Sequence, residues 1–318
     1  MNQIRIAVIG TGSFGRNHVR VLHQSPNADL VGIVDQNPER AAVVGAEFSC
    51  PVYQSIDELR GKIDAAVVAV PTSAHAALGC QLMTQGVDVL IEKPIASSMQ
   101  QAEALLNTAR QHNRILQVGH LERFNPAVIA LKKVCRVPLF FEIHRMSLFS
   151  PRSLDVDVVL DLMIHDLDIV LDLVGKMPEE IRAAGICILS EKVDIANVRL
   201  AFPGGCVANL TASRVSTERV RKVRLFQPEQ YISLDYQRQD GVVFSVSGQQ
   251  QIGYQPLVVV KNEPLELELE SFLESVTTRQ STGVSGSDGA RALEVALAIL
   301  DNIEEHRKTV AKTLQALY

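Results

Sequence analysis

Five short apolar runs stand out in the first 120 residues, each separated from the next by a segment long enough for a helix. They are "IRIAVIG" (4–10), "DLVGIVD" (29–35), "DAAVVAV" (64–70), "VDVLIEK" (87–93) and "ILQVGH" (115–120). Because they are apolar at successive rather than alternate positions, both faces of each strand are expected to be covered, which predicts a parallel sheet flanked by helices. Beyond residue 125 the texture changes. One helix-like segment (157–174) is followed by the alternating runs "NVRLAF", "CVANLTASRV", "KVRLFQP", "YISLDYQ" and "GVVFSVSG", with the turn "PGG" (203–205) between the first two. That pattern predicts an antiparallel sheet. Helical periodicity returns at 265–280 and 287–308, the latter with Ser287 or Asp288 as its N-cap. The expected fold class is α/β: an N-terminal doubly wound parallel sheet (1–122) and a C-terminal α+β domain (123–318) with a large, mostly antiparallel open sheet. The final helices are free in this scheme to pack back on the first domain.

Length and composition narrow the function. A chain of 318 residues that is 47% hydrophobic suits two domains with real cores. Lys+Arg 31 against Asp+Glu 36, a net charge of -5, offers no basic surface for nucleic acid or anionic lipid, so neither is expected as a partner. Five scattered cysteines without a CxxC indicate neither a disulfide framework nor a zinc ribbon, and fit a reducing cytoplasm. The N-terminus "MNQIRIAVIGTG" is too short in apolar residues for a signal peptide, and no apolar run reaches about 18 residues. The expectation is a soluble cytoplasmic protein.

Chemistry enters with "GTGSFG". Gly10, Gly12 and Gly15 have the G-x-G-x-x-G spacing, directly after the first strand and at the start of a helix-like stretch, and Asp35 ends the second strand twenty residues past Gly15. Such a turn lets a pyrophosphate reach the amides at a helix N-terminus, including those of Ser13 and Phe14, and a side chain at Gly12 would block that approach. Asp35 would bind ribose hydroxyls and repel a 2′-phosphate, favouring NAD over NADP, although Arg40 nearby leaves dual use open. The context predicts a Rossmann dinucleotide site, with Pro71, Thr72 and His75 after the third run lining the same groove.

The helix-like segment poses a different question. "DLMIHDLDIV" (161–170) is apolar yet holds three aspartates and a histidine. On a helix Asp161, His165 and Asp168 share one face at i, i+4 and i+7, while Leu162, Ile169 and Leu173 fall elsewhere. Asp166 and Asp172 lie off that face, as solvated or interface charges. Buried charge without a partner is costly, so a site is indicated. His165 is the natural general base of such a face, with Asp161 placed to fix its tautomer. A metal held by His165, Asp161 and Asp168 is a weaker alternative, and no metal is expected.

Glu92-Lys93-Pro94 stands at the carboxyl end of a parallel strand, the edge where ligands of open α/β sheets bind. Together with "GTGSFG", "VAVPTSAH" (68–75), "QVGHLERFNP" (117–126) and "DLMIHDLD" (161–168), this tripeptide resembles the Gfo/Idh/MocA family of sugar oxidoreductases, over nearly the whole chain and in the same order. The resemblance implies that Lys93, Asp161 and His165 meet at the sugar carbon beside the nicotinamide, Lys93 donating to the substrate oxygen or exchanging proton roles with His165. Glu92 is expected to order the turn before Pro94, and Glu92 and Lys93 are counted with the cofactor-binding residues. "EIHRMSLFSPRSLDVDVVLDLMIHDLDIV" further resembles the branch that oxidises the C3 hydroxyl of UDP-N-acetylglucosamine ahead of lipid A biosynthesis. One departure is Met163, where many members carry glycine.

For the substrate pocket, His120, Arg123, Asn125, His144, Arg145 and Arg152 are candidates, Arg123 and Arg152 first because a guanidinium fork matches a diphosphate. Asp155 and Asp157 argue mildly against an anion over that loop. The alternatives are an inositol, polyol or other free-sugar dehydrogenase, and, from a different class, a non-catalytic NAD-binding regulator, which would be expected to lack Lys93 or His165. Finally, the apolar side chains of strands such as "NVRLAFPGGCVANLTASRV" predict a homo-dimer or homo-tetramer packed through the C-terminal sheet.

Overall fold

A computed structural model describes residues 3–149, 156–246 and 251–315, which divide into two compact units. The first comprises Met1–Leu121 with Glu263–Ala290. Its strands β1 (Ile4–Ile9), β2 (Ala28–Val34), β3 (Val52–Tyr53), β4 (Ala65–Val68), β5 (Asp88–Glu92) and β6 (Leu116–Gly119) form one parallel sheet in the order β3-β2-β1-β4-β5-β6. All five predicted runs are strands. Their burial on both faces explains the continuous apolar pattern: Ile6, Ala7, Val8 and the whole of Ala65–Val68 are fully buried.

The connecting helices α1 (Ser13–Gln24), α2 (Pro38–Glu47), α3 (His75–Thr84) and α4 (Met99–Gln111) begin where local chemistry lets them. Asn37 caps α2 by accepting from the Arg40 amide at 2.9 Å, with Pro38 in the first turn, and Ser98 caps α4. A later helix, α7 (Pro264–Thr278), returns to this unit and seats Leu265, Leu269 and Phe272 in the core that holds Ile6, Val8, Val67 and Leu90.

The second unit, Glu122–Asn262 with Arg291–Tyr318, carries an eight-stranded sheet. It contains α5 (Pro126–Val134), β7 (Phe140–Leu148), α6 (Ile164–Val174), β8 (Glu180–Ile186), β9 (Ile195–Ala201), β10 (Val207–Ser216), β11 (Val220–Gln227), β12 (Gln230–Asp235), β13 (Asp240–Val246) and β14 (Ile252–Pro256). The order is β14-β13-β12-β11-β7-β10-β9-β8, antiparallel throughout except for the parallel pair β7 and β10. Strand alternation sorts the two faces. Phe141, Ile143, Leu225 and Ile232 point into a core shared with Leu167 and Val170 of α6, whereas Phe140, Phe226, Tyr231, Phe244 and Tyr254 occupy the opposite face.

Helix α8 (Gly286–Gln315) starts one residue before its periodicity suggests, and its cap lies ahead of Ser287 and Asp288. Ser285 is the cap: its hydroxyl accepts from the Asp288 amide at 3.2 Å, and the Asp288 carboxylate accepts from the Ser285 amide at 3.0 Å, a reciprocal capping box. Among the described residues, no helix is long and apolar enough to cross a membrane.

Candidate active site

In the first unit, the Gly-rich turn is shaped by backbone contact. Gly10 has φ +91°, and a Cβ there would lie 2.4 Å from the Ala69 carbonyl, while a Cβ on Gly15 would lie 1.8 Å from the Gly10 carbonyl. Only glycine lets β1 turn into α1 this tightly. Gly12 is different. A Cβ at Gly12 would meet nothing within 4 Å, and no side chain caps α1, so the amides of its first turn have the open anion-binding geometry that a dinucleotide pyrophosphate needs. Ser13 and Phe14 are exposed there, Phe14 at 55%.

Beside this turn runs a groove of about 590 Å³, lined by Gly10, Gly12, Asp35, Gln54, Pro71 and Leu78 among others, within the size range of small-molecule sites. Asp35 is fixed in it. One carboxylate oxygen accepts from the Thr11 amide (2.6 Å) and hydroxyl (2.8 Å), the other from the Asn37 amide (2.8 Å) and the Arg40 guanidinium (3.1 Å). Burial pushes its pKa up, but the Asn37 and Thr11 bonds and Arg40 outweigh that and hold it below the usual carboxylate value. Asp35 is therefore a fixed anion, and Arg40 partly offsets its charge. These features fit NAD, with the α1 amides for pyrophosphate and Asp35 for a ribose.

Thr72 is half-buried and Pro71 exposed at the start of the loop before α3. His75 is buried rather than facing the groove: its ring bridges the Pro94 and Val70 carbonyls, each at 2.9 Å, and so ties the loop after β4 to the loop after β5. Lys93 is half-buried in that second loop, and its amide donates to the Glu92 carboxylate at 3.2 Å. The Lys93-Pro94 bond is cis. Glu92 reaches His18 on α1 at 2.7 Å. His18 lacked a motif to mark it; the available signal was a histidine on the apolar stripe of α1 beside Val19 and Leu22.

In the second unit, the segment carrying Asp161 is not a plain helix. Val159–Met163 is a π-helical turn, a form that often marks functional sites, and α6 follows from Ile164. Met163 is fully buried within it. The Asp157 carbonyl accepts the Asp161 amide at 3.0 Å, and the Asp157 carboxylate accepts the Val193 amide at 2.8 Å, so this aspartate anchors the turn. Asp161 and His165 are half-buried.

The remaining aspartates are held by arginines. Asp166 was expected as a solvated or interface charge, but it is buried and receives a bidentate bond from Arg145 at 2.7 and 2.8 Å. Arg145, fully buried on β7, also donates to Glu122 at 2.8 Å and lies over the Tyr236 ring. Asp168 takes a bidentate bond from Arg123 at 2.8 and 2.7 Å, and Asp172 pairs with both Arg123 and Lys132 at 2.7 Å. These charges clamp α6 in place, which explains how an apolar helix tolerates them. Asn125 caps α5 through the Ala127 amide and donates to Glu122. His120 is fully buried in the first unit, and His144 is half-buried on β7. Arg152 and Asp155 lie outside the described residues.

Residues 4–120 match the profile of an oxidoreductase family with an NAD-binding Rossmann fold, and residues 144–230 that of the GFO/IDH/MocA C-terminal domain. The chain is 36% identical to UDP-N-acetylglucosamine 3-dehydrogenase from Acidithiobacillus ferrooxidans, over 96% of this chain and 98% of that one. A solved structure of that enzyme superposes with a TM-score of 0.91, covering 96% and 99% of the two chains. Inositol 2-dehydrogenase from Rhizobium meliloti is 25% identical over 96% and 98%.

Proposed function

From the premise that this chain belongs to the Gfo/Idh/MocA family of NAD-binding oxidoreductases, we propose that it oxidises the C3 hydroxyl of UDP-N-acetylglucosamine. The observation that carries the reading is end-to-end similarity at 36% identity to an enzyme of that name. Inositol dehydrogenases share the fold at lower identity and form the second reading.

In the proposed mechanism His165 takes the proton from the sugar hydroxyl, and Asp161 orients the imidazole and stabilises its cation. Lys93 donates to the same oxygen as charge develops on it. NAD, when bound, supplies the hydride acceptor. Arg123 is directed by its three bonds to Asp168 and Asp172 toward holding α6, so we assign it to shaping the pocket and leave contact with the diphosphate to other groups. The five cysteines are free thiols, which supports a cytoplasmic setting, and the C3 product suits a following amine installation on a lipid A precursor.

A rate panel tests the substrate. With NAD+, UDP-N-acetylglucosamine is expected to give NADH at least about tenfold faster than myo-inositol or N-acetylglucosamine at equal concentration; a pocket contact worth about 1.4 kcal/mol suffices for that ratio. Faster turnover of inositol selects the second reading.

We also propose self-association through the open sheet face. Its row of aromatics runs over five strands, Phe140 to Phe226 to Tyr231 to Phe244 to Tyr254, with ring centroids 4.8 to 5.8 Å apart. Tyr254 is 62% exposed and Phe226 37%, an apolar stripe of the kind that a second copy covers. Light scattering after size exclusion is expected to give a dimer or tetramer, and Phe244→Glu to shift it toward monomer. A wild-type monomer at micromolar concentration removes this proposal.

A further inference from the structure

Three ionisable side chains from three elements of the first unit converge in its interior: His18 of α1, Glu92 of β5 and Glu268 of α7. One polar atom from each lies within 4.8 Å of the others. His18 and Glu268 are 0% exposed, and both carboxyl oxygens of Glu268 are buried without a hydrogen-bond partner. Gly119, opposite Glu92 in the β5–β6 register, leaves room for the cluster, since a Cβ there would sit 3.0 Å from a Glu92 oxygen.

Two carboxylates this close and this dry cannot both be charged without a large penalty. Glu92 has compensation: its oxygens accept from His18 and from the Lys93 amide, and the Lys93 charge faces it. Burial pushes Glu92 up, yet His18 and Lys93 bring it below the usual carboxylate value. Glu268 has no such compensation. Burial first, then the neighbouring Glu92 charge, push it well above the ordinary range. Besides the three members, Lys93 on the following turn carries a charge that acts on Glu92, and the Glu92 charge in turn reaches His75 of α3, which burial keeps below the usual imidazole value.

We propose that His18, Glu92 and Glu268 form a buried proton-holding triad in which Glu268 stays a neutral carboxylic acid and serves, through Glu92, as a positioning residue for the Lys93 turn. The positioning half rests on the reading of Lys93 as the donor to substrate oxygen. The protonation half does not.

Glu268→Gln separates the possibilities because glutamine keeps the shape and a donor but cannot ionise. A carboxyl whose pKa is raised on folding contributes stability below its unfolded value, about 4.3, and loses it as pH rises, up to tenfold in the folding constant per pH unit. Urea unfolding of wild type and E268Q between pH 5 and 9 is therefore expected to diverge, the variant gaining relative to wild type as pH increases. In parallel, infrared spectra of wild type carrying 13C-labelled glutamate are expected to show a carboxylic-acid C=O band at pH 8. Both are substrate-free, and the second needs no variant. For positioning, E268Q is expected to keep kcat within about threefold, while Glu268→Ala loses at least about tenfold in kcat with KM for NAD+ little changed. Parallel stability curves, no acid band, or E268Q as slow as E268A overturns the proposal; each of these is what a charged Glu268 holding a cation would produce. Absence of turnover by wild type on the UDP-sugar strikes the substrate reading alone, and the two substrate-free measurements still decide the triad.

Discussion

His165→Asn and Lys93→Met are each expected to lower kcat by about 10²–10⁴-fold, the usual worth of a positioned proton-transfer group, while NADH binding stays near wild type. A hydride leaves a secondary alcohol carbon only as the hydroxyl proton departs, and these are the two groups proposed to meet that oxygen. Asparagine keeps a polar group of similar size but cannot accept the proton; methionine keeps the length of lysine but has no charge to offer the forming alkoxide. Because NAD contacts are assigned to Gly10, Gly12, Gly15 and Asp35, cofactor affinity should be spared. Steady-state kinetics with NADH fluorescence titration checks both halves. Either variant turning over at the wild-type rate removes that residue from the chemistry.

The second large effect concerns stability. Asp166→Ala leaves Arg145, whose side chain is wholly buried, without its bidentate partner. Breaking a buried pair on one side costs about 3–5 kcal/mol because the remaining charge is uncompensated. Urea denaturation should show that loss as a fall in midpoint with an unchanged m-value. The double variant Arg145→Met, Asp166→Leu should recover much of it, since apolar packing replaces both charges. Glu122 shares this cluster: burial raises its pKa, but Arg145 and Arg221 more than reverse that. Its folded value being lowered, its contribution is present above the unfolded carboxyl range and disappears as pH falls below about 4. A loss under 1 kcal/mol for Asp166→Ala would mean that α6 is held mainly by Leu167 and Val170.

Parallel strands were legible because burial on both faces leaves no polar positions in "AVVAV" or "VLI". The edge strand β3 was not, since two residues carry no period. In the second unit β7 escaped notice: "FFEIHRMSL" alternates, but its inward positions include Arg145, which reads as a candidate for the substrate pocket until its buried partner Asp166 is seen. The same reason hid the pairing of Arg123 with Asp168. Ion pairs 21 and 45 residues apart leave no local trace, so three aspartates on an apolar helix pointed to a site when two of them mainly secure the helix. The glycine turn and Asp35 were readable because their geometry is local. The π-helical turn at Val159–Met163 was not, and neither was Glu268, which sits between Leu265 and Leu269 on the apolar stripe of α7.

The proposed reaction turns on a direct hydride transfer from the sugar C3. UDP-N-acetylglucosamine carrying deuterium at C3, incubated with the wild-type protein and NAD+, measures it most simply, by mass spectrometry of the reduced cofactor. The expected product is NADH one mass unit heavier, with the label at the nicotinamide C4 position. Unlabelled NADH, or recovered substrate with its deuterium intact and no reduced cofactor, would contradict it.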